Sequence, residues 1–215
     1  MKKLLLTCLA ALLVFGLVAC KSDEDNGDKD IPGGINSYTI EAEYIDLDGI
    51  QGAGVSSEAS GVSMIIGEGT PEHEAKGWSN GYYVGFTHSA GLELSFKFNS
   101  DNAAVATIIL RLGSEVGDIT FSPESLAVKL NGTVISYSNI FVAGSDMDSM
   151  TFSDKTITTS AALITGENII TLEVLNNTLR NGQVAGPMID CIKIKTVASL
   201  TWTDKTENPG LRGAI

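Results

Sequence analysis

The chain is 215 residues long and carries a formal net charge of −12. That length suits one domain with a sizeable core, plus short terminal segments. So acidic a surface repels phosphate backbones, which excludes nucleic acid as a partner and favours neutral sugars, cations or basic proteins.

Lys2 and Lys3 begin the chain, and an apolar run from Leu4 to Val18 follows, broken only by Thr7, Cys8 and Gly16. A basic start, a short apolar stretch and small residues before a cut describe a signal peptide. A membrane-spanning helix needs about 20 apolar residues, more than this run supplies. The tetrapeptide Leu17-Val18-Ala19-Cys20 resembles a bacterial lipobox. The resemblance implies that residues 1–19 are removed and that Cys20 is acylated. An ordinary cleaved signal or a simple anchor helix is the alternative. Residues 20–36 read as an acidic tether, because the stretch KSDEDNGDKD cannot bury apolar area. This stretch is similar to the export signal of many Bacteroidota surface lipoproteins. That likeness implies a palmitate-type anchor in the outer membrane, facing outward. One acyl chain binds only marginally, so stable anchoring needs several. Cys191 is then the only cysteine left besides Cys20, and no intrachain disulfide is possible. It lies in the apolar run MIDCIKI and reads as core.

The body, residues 37–198, reads as strands. Tyr38, Ile40, Ala42 and Tyr44 alternate with Thr39, Glu41 and Glu43, a period of two. Residues 46–80 are glycine-rich and weakly patterned, which predicts short strands in long loops. Leu92, Leu94, Phe96 and Phe98 alternate with polar residues and mark a half-buried strand. The continuous apolar run AVATIILRL (104–112) predicts an inner strand buried on both faces. SLAVKLNGTVISYS (125–138) predicts a hairpin, because Asn131-Gly132 accepts the positive φ of a tight turn. Further strands follow in MTFSDKTITTSAAL, NIITLEVLNN and MIDCIKIKTV. No helical stripe is present. Short strands punctuated by Gly and Asn predict an all-β fold, an antiparallel β-sandwich or jelly roll. The tail, residues 199–215, either packs back as an edge strand around Trp202 or stays loose.

Three acids stand out. Glu41 and Glu43 at i and i+2 fall on one face if the strand runs through both. Carboxylates that close want a cation between them. Asp190 sits in the apolar segment GPMIDCIKIKTV, where a charge without a partner is costly. Ca²⁺ takes six to eight oxygen ligands and suits such a set. His73 and His88 show no metal-ligand spacing and read as solvated loop residues. SDMDS (145–149) lacks the glycine and terminal Glu of a calcium loop.

With these pieces in place, the chain resembles the carbohydrate-binding modules of families six and thirty-five. The resemblance rests on YTIEAEY (38–44), WSNGYYVGF (78–86), GLELSFKFN (91–99), LAVKLNGTVI (126–135), LITGENIITLEVLNN (163–177) and GPMIDCIKI (186–194), in that order. It implies a jelly roll with a structural Ca²⁺ held by Glu41, Glu43 and Asp190. It also implies a sugar site, in the loops at one sandwich end or on a concave sheet face. Aromatics are 7% of residues, so the candidates are few. Trp78 reads either as a platform for a pyranose ring or as a packing residue. Tyr83 falls on the strand face opposite Tyr82, Val84 and Phe86 and is expected to be exposed. The resemblance expects an Asn before the closing Ile-Asp, but this chain has Met188. Asn176, Asn177 and Asn181 are the polar residues placed to substitute for it.

The reading is a non-catalytic carbohydrate-binding surface lipoprotein. Its expected partners are a glycan or polysaccharide, with possible partner proteins of surface glycan utilisation. The alternative is a structural or adhesive lipoprotein that binds protein and has no sugar site. An enzyme ranks last, since a glycosidase needs two carboxylates flanking a cleft.

Overall fold

The computed structural model describes residues 34–45, 65–67, 79, 82–85, 87, 90–114, 117–144, 151–176, 178–180 and 183–202. All of them lie in the compact unit Gly33–Ile215. The signal peptide, Cys20, most of the tether, His73, Trp78, His88, SDMDS, Asn177, Asn181 and residues 203–215 lie outside the described residues.

The described residues form two main antiparallel sheets. One contains, in spatial order, β10 (Ser153–Leu163), β5 (Ala104–Gly113), β14 (Met188–Thr196), β3 (Tyr82–Val84) and β2 (Ile65–Gly67), with β1 (Asn36–Glu41) also paired to β14. The other runs β15 (Leu200–Thr201), β4 (Glu93–Ser100), β11 (Gly166–Val174), β7 (Leu126–Leu130) and β8 (Thr133–Val134). Two ribbons, β6 (Ile119–Phe121) with β9 (Ile140–Val142) and β12 (Thr178–Arg180) with β13 (Gln183–Ala185), complete the set. The chain changes sheet between β4 and β5, β10 and β11, and β14 and β15. These crossings wrap it into a sandwich of the jelly-roll kind.

Alternation along the strands builds the core. Leu94, Phe96 and Phe98 of β4 point inward, and each is at most 1% exposed. Ile108, Leu110 and Leu112 of β5, Ile192 and Ile194 of β14, and Ile170 and Leu172 of β11 meet them in one apolar cluster. Each such side chain, fully buried, contributes about 1.5–3 kcal/mol. The outer face of β5 departs from the expected double burial. Ile109 is covered, but Val105 is 63% exposed.

The Asn131-Gly132 turn forms as expected, with φ of 51° and 79° and with Leu130 opposite Thr133. The described start of the tail, through Trp202, packs back. Leu200 pairs with Ser100, and Trp202 meets Tyr38 edge-on at 6.2 Å.

The opening strand ends sooner than its alternation predicts. β1 stops at Glu41, and Ala42–Tyr44 forms a 3-10 turn. Glu43 therefore does not share a strand face with Glu41. It is carried inward to 3% exposure.

Candidate functional site

The site is a cross-strand row on the six-stranded sheet. Glu41 on β1 is the partner of Cys191 on β14, Cys191 is the partner of Arg111 on β5, and Arg111 is the partner of Asp154 on β10. The register of β14 against β5 shifts between Ile189 and Cys191. That shift makes Asp190 the extra residue of a β-bulge, a device that re-aims a side chain. Strict alternation with Ile192 and Ile194 would send Asp190 into the apolar core. The bulge instead brings its carboxylate beside Arg111, whose Nε lies 2.9 Å from Oδ2.

Ser79 ties the row together. Its backbone N–H donates to Asp190 Oδ1 at 2.8 Å and Oδ2 at 3.0 Å. Its hydroxyl donates to Glu41 Oε2 at 2.7 Å and lies 3.1 Å from Asp190 Oδ2. One hydroxyl proton thus sits between two carboxylates. Arg111 continues the row outward through Nη1 to Asp154 Oδ1 at 3.0 Å, and Lys193 Nζ reaches Asp154 Oδ2 at 2.8 Å.

Asp190 has no exposed surface. Burial pushes its carboxyl above the ordinary aspartate value, against the hydrogen bonds from Ser79 and the charges of Arg111 and Lys193. Cys191, 3.8 Å from Asp190 Oδ2, is a buried free thiol, as its apolar neighbours predict. Burial pushes it up to about 12.

The structure brings together two of the three predicted metal ligands. Glu41 and Asp190 meet through Ser79. Among the described residues no group of three His, Cys, Asp or Glu is arranged to hold a metal ion, so Glu43 does not complete a set with them. The immediate surroundings of Asp190 do not suit Ca²⁺. Asp190 is faced by the Ser79 N–H and by the Arg111 guanidinium, both of which repel a cation. Ca²⁺ needs open oxygen lone pairs.

The predicted sugar residues fare unevenly. Tyr83, expected on an exposed face, has no exposed surface and packs against Phe152, ring centroids 5.1 Å apart and tilted by 55°. Phe152 covers the face of β3 that the sequence leaves open, so Tyr83 is no sugar platform. Met188 is 3% exposed. Asn176 is exposed, with its amide nitrogen on the Glu124 carbonyl at 2.6 Å. A separate cleft of about 490 Å³ opens between the β7–β8 turn and β10. Thr133, Ser136, Thr158 and Ser160 line it above Leu130 and Ile135, with no aromatic or charged side chain.

Ser79, Arg111, Asp154 and Lys193 were not singled out by the sequence reading. Arg111 carried one signal, as the only charge inside AVATIILRL.

No protein-family model matches this chain, and no curated protein matches it. Solved structures similar to it include the Podospora anserina GH26-CBM35 β-(1,4)-mannanase, at 19% identity and a TM-score of 0.46, covering 74% of this chain and 27% of the mannanase. The chain thus spans about a quarter of that enzyme's length. CBM35 from Paenibacillus barcinonensis is similar at 20% identity and a TM-score of 0.43, covering 77% of this chain and 99% of the module. A CBM36 carbohydrate-binding module in complex with calcium and xylotriose is similar at 16% identity and a TM-score of 0.37, covering 73% of this chain and 98% of that one.

Proposed function

We propose that this sandwich is a non-catalytic carbohydrate-binding domain, displayed on the outer membrane through an acylated Cys20. One observation carries the reading. Glu41, Ser79 and Asp190 come from three separate segments that resemble the carbohydrate-binding modules, YTIEAEY, WSNGYYVGF and GPMIDCIKI. They meet in one hydrogen-bonded junction. Six weak motifs in order are suggestive; chemical contact between their polar residues is what a shared architecture requires.

The same junction argues against hydrolysis. Glycosidase carboxylates flank a cleft with room for a sugar and water. Here Asp190 is sealed from solvent and ion-paired, and Glu41 shares a serine hydroxyl with it. Calcium at Glu41, Glu43 and Asp190 forms no part of this reading, because Asp190 already faces the Ser79 N–H and the Arg111 guanidinium. Trp78, adjacent to the pinned Ser79, is the aromatic assigned to stacking on a pyranose face, with Asn177 and Asn181 as hydroxyl partners. Glycan importers and glycosidases of the same surface are the partner proteins this role calls for.

The test is affinity-gel retardation of the purified protein in a panel of neutral and acidic polysaccharides. At least one should retard it, and Trp78→Ala should abolish that retardation at unchanged Tm. Free migration in every gel sinks the proposal. For the anchor, mass spectrometry of the membrane-extracted protein should find acyl chains on Cys20; an unmodified N-terminus sinks that part.

A second reading, adhesion to a protein partner, has its own observation. Asn36, Thr196 and Ala106 are in register on β1, β14 and β5, and the residues beside them, Ile35, Val197 and Val105, are 73%, 56% and 63% exposed. An apolar row of this kind suits a protein surface better than a sugar. Ser substitutions at Val105 and Val197 should leave glycan retardation intact under the first reading.

A further inference from the structure

We infer that Arg111 supplies, from within the chain, the positive charge that the acidic junction would otherwise need from a divalent cation, making the Glu41–Ser79–Asp190 lock independent of metal. The inference does not rest on glycan binding, since it concerns what holds the sandwich together.

Two carboxylates around one serine hydroxyl repel each other unless a cation stands close. The residue that stands close is Arg111. Its Nε is 2.9 Å from Asp190 Oδ2. A guanidinium is charged at every accessible pH and has planar, directed donors. It is also held from its other side, through Nη1 to Asp154 at 3.0 Å, while Lys193 neutralises Asp154 at 2.8 Å. The charges thus alternate along the row: Glu41 and Asp190 negative, Arg111 positive, Asp154 negative, Lys193 positive.

Geometry selects the guanidinium over an ion. Both Asp190 oxygens receive the Ser79 N–H, and Oδ2 also faces the Ser79 hydroxyl and Arg111. Hydrogens crowd Oδ2, the oxygen that faces Arg111, against the approach of a metal. Position selects it too. β5 lies beside β14 in the middle of the sheet, and Arg111 is the residue that the Asp190 bulge faces. A side chain on a central strand, fixed by the register, needs no loop to assemble it. The lock then joins β1, Ser79, β14 and β5 through covalently attached groups alone.

The experiment is thermal unfolding of the intact protein, with excess EDTA and with millimolar CaCl₂, beside Arg111→Met and Arg111→Lys. A ligand that binds only the native state must raise Tm. We expect wild-type Tm to agree within about 1 °C in EDTA and in CaCl₂. Arg111→Met should lower it by roughly 5–10 °C, on the scale of about 2–4 °C per kcal/mol for a domain of this size. Arg111→Lys, which keeps the charge but loses the fork, should fall between. A wild-type Tm that drops in EDTA and returns with CaCl₂ overturns the inference, as does an Arg111→Met variant as stable as wild type. Should Arg111→Met not be recovered folded, calorimetric titration of the wild type with CaCl₂ decides. Absence of a binding isotherm supports the inference, and a saturable site overturns it.

Discussion

Asn131 Nδ2 donates to Asn168 Oδ1 at 3.0 Å, binding the β7–β8 turn to the start of β11. The two residues act as a clasp. Asn131 Oδ1 accepts the Ile169 N–H at 2.9 Å, and its own N–H donates to the Ile169 carbonyl at 2.9 Å. Asn168, with no exposed surface, donates to the carbonyls of Ile164 at 2.8 Å and Gly166 at 3.0 Å and accepts the Ile164 N–H at 3.0 Å. A buried amide with every group satisfied organises a turn; half-satisfied, it would cost the fold heavily.

Asn168→Ala should therefore destabilise the domain by about 2–4 kcal/mol, because several backbone groups and Asn131 lose a partner at once. Urea unfolding measures it. A loss below about 1 kcal/mol would show the clasp to be ornamental.

Gly144 is the second point of sensitivity. Its N–H donates to Asp118 Oδ1 at 3.1 Å. A Cβ there would press on the Ser114 carbonyl oxygen, lie 2.7 Å from the Gly117 oxygen and sit 2.8 Å from Ser114 Cβ. Two of these are backbone atoms, which cannot swing away. Gly144→Ala should cost about 1–3 kcal/mol, the range for overpacking a filled site. Equal denaturation midpoints for variant and wild type would contradict the close approach.

Asp154 should make the acid limb of stability shallower when removed. Burial raises its carboxyl, but hydrogen bonds from Lys193 and Arg111 outweigh this and hold it below the ordinary aspartate value. A lowered native pKa stabilises above the unfolded value, near pH 4, and that stabilisation is lost as pH falls through the native value. The side chain is 42% exposed, so solvent screening keeps the effect below about 1 kcal/mol. In melts from pH 7 to pH 3, Asp154→Asn should trail wild type at pH 7 and converge with it at pH 3. A gap that widens on acidification reverses the sign argued here.

Cys191 should be chemically silent in the native protein. The reactive form of cysteine is the thiolate. Burial holds this thiol up to about 12 and leaves no accessible surface. Iodoacetamide at pH 8 should alkylate it only in denaturant. Stoichiometric labelling of the folded protein within minutes would mean that β14 opens readily.

The strands were legible because their signal is local. A period of two sets Leu94, Phe96 and Phe98 inward before any partner is known, and an Asn-Gly pair turns the chain where its φ angles permit. Asp190 was also visible as an anomaly, a charge inside an apolar run. Its partner was not visible. Register sets which residue stands opposite, and a bulge of one residue reverses which way a side chain points. Arg111 lies 79 positions from Asp190 in sequence, and only the pairing of β5 with β14 makes them neighbours. Tyr83 was misread for the same reason: alternation names a face, but only Phe152, arriving from elsewhere in the chain, covers it. Glu43 was misread because a strand that becomes a 3-10 turn loses its period. Local pattern thus determined the class of fold, whereas the charge balance of the site was decided by contacts between residues that sequence distance hides.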